Sequence, residues 1–187
     1  MRIPSVPVGL VAALYVLSAI PARAQSRGID VPSGMTVRKV PEIMGKFLVP
    51  KGWHFTKARS GPYTFFITEE KYAGTGRFET GLMISARKLP PDQSVVTLAE
   101  QMVSGGCKDA EQLRPPFSEP LGTMTVFGCI VRLKVDGMSV TVALTEIAGP
   151  KQNTLYTFQF RSPTSRWEEA WELGKYMMER FTLDDDF

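Results

Sequence analysis

Asp136-Gly137 sits between two runs of alternating apolar residues, and that pair commits the middle of this 187-residue chain to an antiparallel hairpin. Both residues tolerate the positive φ of the two-residue turn whose twist matches that of paired strands. With Val135 facing Met138, the register sets Leu133 beside Val140, Val131 beside Val142 and Cys129 beside Leu144 on one apolar side. A slip of one residue would bring Arg132 and Lys134 onto that side, and burying two cations opposes it.

The same period recurs on either side of the hairpin. Phe47 and Val49 open a short strand, Pro50 to Gly52 turn, and Trp53, Phe55 and Lys57 continue on one face of a second strand. Tyr63, Phe65 and Ile67 alternate with Thr64, Phe66 and Thr68, and Leu82, Ile84 and Ala86 with Met83, Ser85 and Arg87. Tyr156, Phe158 and Phe160 make an aromatic-faced strand that Pro163 ends. Two helices are expected. After Pro90-Pro91, Thr97 stands three residues before Glu100, a spacing that lets each side chain cap the other's backbone amide. Leu98 and Met102, with Val95, then share a side, and Gly105-Gly106 end the helix just before Cys107. Ser165 and Glu168 repeat the capping spacing, after which Trp167, Trp171, Gly174, Met178 and Phe181 recur at helical intervals, a stripe that reads as core lying across the sheet.

The first 24 residues read as an export signal. Arg2 gives a basic start, Val6 to Ile20 is almost wholly apolar, and Ala22-Arg23-Ala24 supplies the small residues of a cleavage site, so the expected mature chain begins at Gln25. A retained anchor is the competing reading, but the run is shorter than the roughly 20 residues of a comfortable span and Pro4, Pro7 and Pro21 interrupt it. No stable membrane insertion is expected after cleavage, and the location is periplasmic or secreted. Residues 25–44, broken by Pro32, Gly34 and Pro41, read as an arm or linker, 45–183 as one domain, and 184–187, with Asp184 to Asp186, as a solvated acidic tail.

Cleavage removes Arg2 and Arg23 from the 22 basic residues and no acid from the 19 acidic ones, leaving a net charge of about +1. No stripe of cations with interleaved aromatics appears, so nucleic acid is not an expected partner. Cys107 and Cys129 both survive cleavage and would meet oxidising conditions, where an even pair reads as a structural disulfide; two buried thiols are the alternative.

Catalytic patterns in the sequence are weak. His54, beside Trp53 at the start of a strand, is the single histidine, which leaves a zinc site short of ligands, and no Gly-x-Ser-x-Gly elbow exists. Ser85-Ala86-Arg87-Lys88 has Ser-x-x-Lys spacing, but on a strand positions three apart face opposite ways. Gly74, Gly76 and Gly81 lie in a loop between strands and lack phosphate-cradle spacing, and Glu69-Glu70 and Glu168-Glu169 are adjacent pairs unlike those of a glycosidase. No cofactor or metal is expected. Trp53 and His54 are the residues singled out as a ligand or partner surface.

Phe47-Leu48-Val49-Pro50-Lys51-Gly52-Trp53, the paired central strands, and Tyr156-Thr157-Phe158 to Ser162-Pro163 followed by a Trp-bearing helix and Arg180-Phe181-Thr182-Leu183 together resemble the PsbP-like superfamily, in the manner of bacterial exported PsbP-like or DcrB-like proteins. The likeness spans about 45–183. It implies an α+β fold, an antiparallel β-sheet flanked by helices on both faces, in a superfamily of binding and assembly factors that includes the extrinsic protein of the photosystem II oxygen-evolving complex, bacterial envelope proteins and a nuclear import factor. No catalytic residues transfer from it. This chain departs from many relatives in its cysteine pair and single histidine. The expected function is a non-catalytic exported protein that binds another envelope or secreted protein or supports an envelope complex. Two alternatives stand beside it: a carrier holding a small apolar ligand in a chamber of some 300 Å³ or more lined by Tyr63, Phe65, Tyr156 or Phe158, and a hydrolase assembled around His54.

Overall fold

A computed structural model describes residues 29–59, 63–74 and 77–183. Residues 1–24, expected to be an export signal, the start of the expected arm, Gly76 and the expected acidic tail 184–187 lie outside the described residues. Among the described residues are ten strands, all paired antiparallel, and two α-helices. The strands are β1 (Met35–Val40), β2 (Gly45–Pro50), β3 (His54–Lys57), β4 (Thr64–Thr68), β5 (Gly81–Lys88), β6 (Glu111–Leu121), β7 (Met124–Val135), β8 (Met138–Gly149), β9 (Thr154–Pro163) and β10 (Thr182–Leu183); the helices are α1 (Val95–Lys108) and α2 (Trp167–Glu179). Seven strands form one sheet in the order β3-β4-β5-β9-β8-β7-β6, and β1-β2-β10 form a smaller one.

The β7–β8 hairpin has the register that Asp136-Gly137 dictates, from Val135 opposite Met138 to Cys129 opposite Leu144, with φ of 51° and 82° at the two turn residues. Period two then sorts the core. On β8, Val140, Val142 and Ala148 join Phe127, Cys129 and Val131 of β7 in a cluster with Val95, Ala99, Val103 and Cys107 of α1. The alternate residues Ala143 and Ile147 join Phe158 and Phe160 of β9, Phe47 and Leu48 of β2, and Ala170, Met177 and Met178 of α2. A third, small cluster of Phe66, Tyr72 and Phe78 packs edge to face at 4.8 to 5.7 Å.

Five local expectations are corrected. The segment read as an arm contains β1, which pairs with β2 along its whole length; only Met35 and Val40 of this strand are buried, so no alternation marked it. Helix α1 starts at Val95, with the Ser94 hydroxyl rather than Thr97 capping it by accepting from the Thr97 amide at 3.3 Å. Its buried face is Val95, Ala99, Val103 and Cys107, spaced by four, while Met102 is exposed; small Ala99 brings the helix closer to the sheet than the larger Leu98 and Met102 would. Gly105 and Gly106 do not end the helix, which continues to Lys108; Gly106 sits where an added Cβ would lie 3.2 Å from a Leu144 methyl, so it is part of that close approach. At α2 a 3₁₀ turn, Thr164–Arg166, precedes the helix and no side chain caps it, so Ser165 is not its cap.

Candidate functional site

Strand β6, absent from the sequence reading, builds one wall of a cleft. Pro115 and Pro116 fall within its register shifts, between Gln112 and Phe117, and the strand bends there. Beyond the bend the Phe117 ring lies on Gly128 of β7, where an added Cβ would be 2.7 Å from it. The Arg114 guanidinium stands 3.6 Å from the centre of that ring and donates to Glu119 Oε1 at 3.3 Å. Opposite, Trp171, Met178 and Glu179 of α2 and Phe181 just after it form the second wall, over a floor of Val126, Ile130, Ala143 and Ile147. Trp171 is braced by Trp167 at 5.0 Å and Phe160 at 5.7 Å.

The space between these walls is about 60 Å³, mostly apolar, with Arg114, Glu119 and Glu179 at its rim. Desolvation pushes the Glu179 carboxyl above the usual carboxylate range, against the pull of Lys175, Arg180 and Arg114. Small-molecule sites run to about 300–1,000 Å³, so this cleft is the size for one inserted side chain rather than a free ligand. A larger recess of about 480 Å³ at the start of α2 is lined by Arg132, Thr141, Thr164, Arg166 and Glu168 among others. Its cations are already engaged, Arg132 with Glu111 at 2.9 Å and Arg166 with both oxygens of Glu69 at 3.0 Å.

Trp53 and His54 lie at the opposite edge of the large sheet from β6. Trp53 is half-buried against the main core, its amide donating to the Pro50 carbonyl at 3.1 Å, and His54 is exposed opposite Thr68. Neither lines the cleft or the larger recess. Cys107 and Cys129 form a disulfide that ties the last turn of α1 to β7. The side chains assigned to an apolar chamber are consumed by packing: Phe65 stacks on Phe55 at 5.8 Å, and Phe158 meets Phe47 and Phe181 edge to face. Tyr156 borders a recess of about 10 Å³, and Tyr63 is exposed. The glutamates adjacent in sequence also have structural employment, since Glu70 accepts from the amides of Glu79 and Thr80. Glu111 to Leu121 gave no signal to sequence reasoning because it lacks alternation and carries three prolines.

No family model matches this sequence, and no curated protein does. The fold, however, is similar to solved structures. Cyanobacterial PsbP (CyanoP) from Synechocystis sp. PCC 6803 superposes with a TM-score of 0.53 at 13% identity, covering 85% of this chain and 98% of that one. The fold is PsbP-like. LpqN of Mycobacterium tuberculosis, described as involved in cell envelope biogenesis, gives 0.56 at 18% identity over 80% of this chain and 90% of its own. The Ran-binding protein Mog1p of Saccharomyces cerevisiae gives 0.54 at 10% identity over 83% and 96%. At such identities the likeness speaks to architecture and leaves function to the residues.

Proposed function

We propose that this chain is an exported, non-catalytic protein that binds a protein partner, or supports an envelope complex, through the cleft between β6 and α2. The observation that carries the reading is the size of that cleft: about 60 Å³ of apolar space takes one side chain of a partner, and the rim of Arg114, Glu119 and Glu179 offers both signs of charge to the groups beside it. The two core clusters, one with α1 and one with α2, support a sandwich in which helices flank the sheet on both faces and only surface features remain for recognition. LpqN's description as an envelope biogenesis protein and Mog1p's as a Ran-binding protein are in keeping with this use of the fold.

The test is affinity capture from envelope extract of the source cell with the mature chain and with Phe117→Ser and Glu119→Arg. The expected outcome is a protein enriched by the parent chain and lost with both variants. Equal capture by all three chains, or no enrichment, would refute the reading.

A further inference from the structure

The near-zero net charge of residues 25–187 conceals a segregation. Between residues 38 and 59 lie Arg38, Lys39, Lys46, Lys51, Lys57 and Arg59 against Glu42 alone, a net of +5, so the rest of that chain carries about −4. All six cations are exposed, and they belong to β1, β2, β3 and the turns next to them; β1 and β3 are edge strands of the two sheets, and the two strands meet where Arg38 lies over Phe55 and Glu42 pairs with Lys57. Elsewhere, cations such as Arg114, Arg132, Arg166, Lys175 and Arg180 sit in ion pairs. Here only Lys57 does, with Glu42 at 3.2 Å, among the described residues.

Lys39 and Lys46 sharpen the point. They face each other directly across the β1–β2 ladder, on the same side and both exposed. Like charges in that position are destabilising, so packing gives no reason for the pair. We propose that this β1–β3 surface docks an acidic, extended protein segment, separately from the β6–α2 cleft. An acidic side chain placed between Lys39 and Lys46 would relieve their repulsion, and Arg38, its guanidinium 4.8 Å from the Phe55 ring, presents further donors round the corner. Arg38 and Lys39 are successive strand residues and point to opposite sides, so the cations lie on both faces of the β1 edge instead of in one plane. A flat anionic membrane meets only part of such a surface, whereas a chain segment follows it round.

The experiment is fluorescence anisotropy of the full mature chain with a labelled peptide of roughly ten mixed Asp and Glu residues, enough to cross three strands. Binding is expected at about 0.05 M ionic strength, weakening by about tenfold or more near 0.3 M. It should also weaken by about tenfold in Lys39→Glu/Lys46→Glu, be restored in Lys39→Arg/Lys46→Arg, and be unaffected by Phe117→Ser, which separates this surface from the cleft. The salt series on the parent chain needs no variant to fold. The proposal is overturned by no binding at low ionic strength, by binding that ignores the double charge reversal, by binding seen only after residues 184–187 are removed, or by tighter association with phosphatidylglycerol vesicles than with the peptide.

Discussion

Glu146 is an ionisable side chain held in the interior. It is fully buried on β8; the Thr157 hydroxyl donates to its Oε2 at 2.7 Å, and its Oε1 has no hydrogen-bond partner among the described residues. Desolvation pushes the carboxyl up to about 7, with the Thr157 hydrogen bond and Arg87 opposing. The folded chain therefore holds a proton that the unfolded chain releases near 4.5, so the contribution of Glu146 is fully present below that pH and is lost as pH rises through about 7. The difference amounts to about 3 kcal/mol. Denaturant midpoints at about pH 5 and about pH 8 should diverge in the parent and draw together in Glu146→Gln; an unchanged gap would show that another group sets it. Gly174 makes a second case at this scale. Alanine would gain about 1 kcal/mol of helix propensity, but its Cβ would lie 2.7 Å from the Phe160 ring, which Trp167 and Trp171 brace. Overpacking costs about 1–3 kcal/mol, so Gly174→Ala should lower the thermal midpoint measured by calorimetry.

At the scale of elements, α1 is anchored at both ends by side chains. Asn153, at φ 50° in the β8–β9 turn, accepts from the Val95 amide through Oδ1 at 3.3 Å and donates through Nδ2 to the carbonyls of Leu89, Pro90 and Gln93 at 3.3, 2.8 and 2.9 Å. Asn153→Ala leaves those groups without this partner and should cost about 2 kcal/mol in a denaturant titration. At the other end the disulfide closes a separation of 22 residues, and Cys107→Ser/Cys129→Ser should cost about 3 kcal/mol by the same measurement. These elements also show where sequence was readable. Strong alternation around Asp136-Gly137 was legible to the residue, because a one-residue slip would bury Arg132 and Lys134. The face of α1 was not, because large Leu98 and Met102 suggested a stripe that small Ala99 and Gly106 in fact supply. Neither was β1, whose middle residues are all exposed and whose strand state depends on its ladder with β2, nor β6 with its three prolines. The cleft went unseen for that reason, since half of it is β6. Asn153 carried no local mark because its partners lie about 60 residues away.

For the whole molecule, charge and apolar surface are used in different places. The main core consumes most of the aromatic side chains, the β6–α2 cleft keeps a small apolar opening, and the β1–β3 surface concentrates cations. Lys39→Glu should raise stability by about 0.5 kcal/mol in a denaturant titration by turning a like-charge pair into an opposite one. The same change should weaken binding of the acidic peptide, which is the mark of a surface kept for a partner at some expense of stability. The central claim, recognition of a protein at the cleft, is tested most directly by photocrosslinking in the source cell from a benzophenone side chain at position 117, with position 102, exposed on α1, as the comparison. One protein adduct is expected from 117 and none from 102; no adduct at 117, or the same adducts from both positions, would contradict recognition at the cleft.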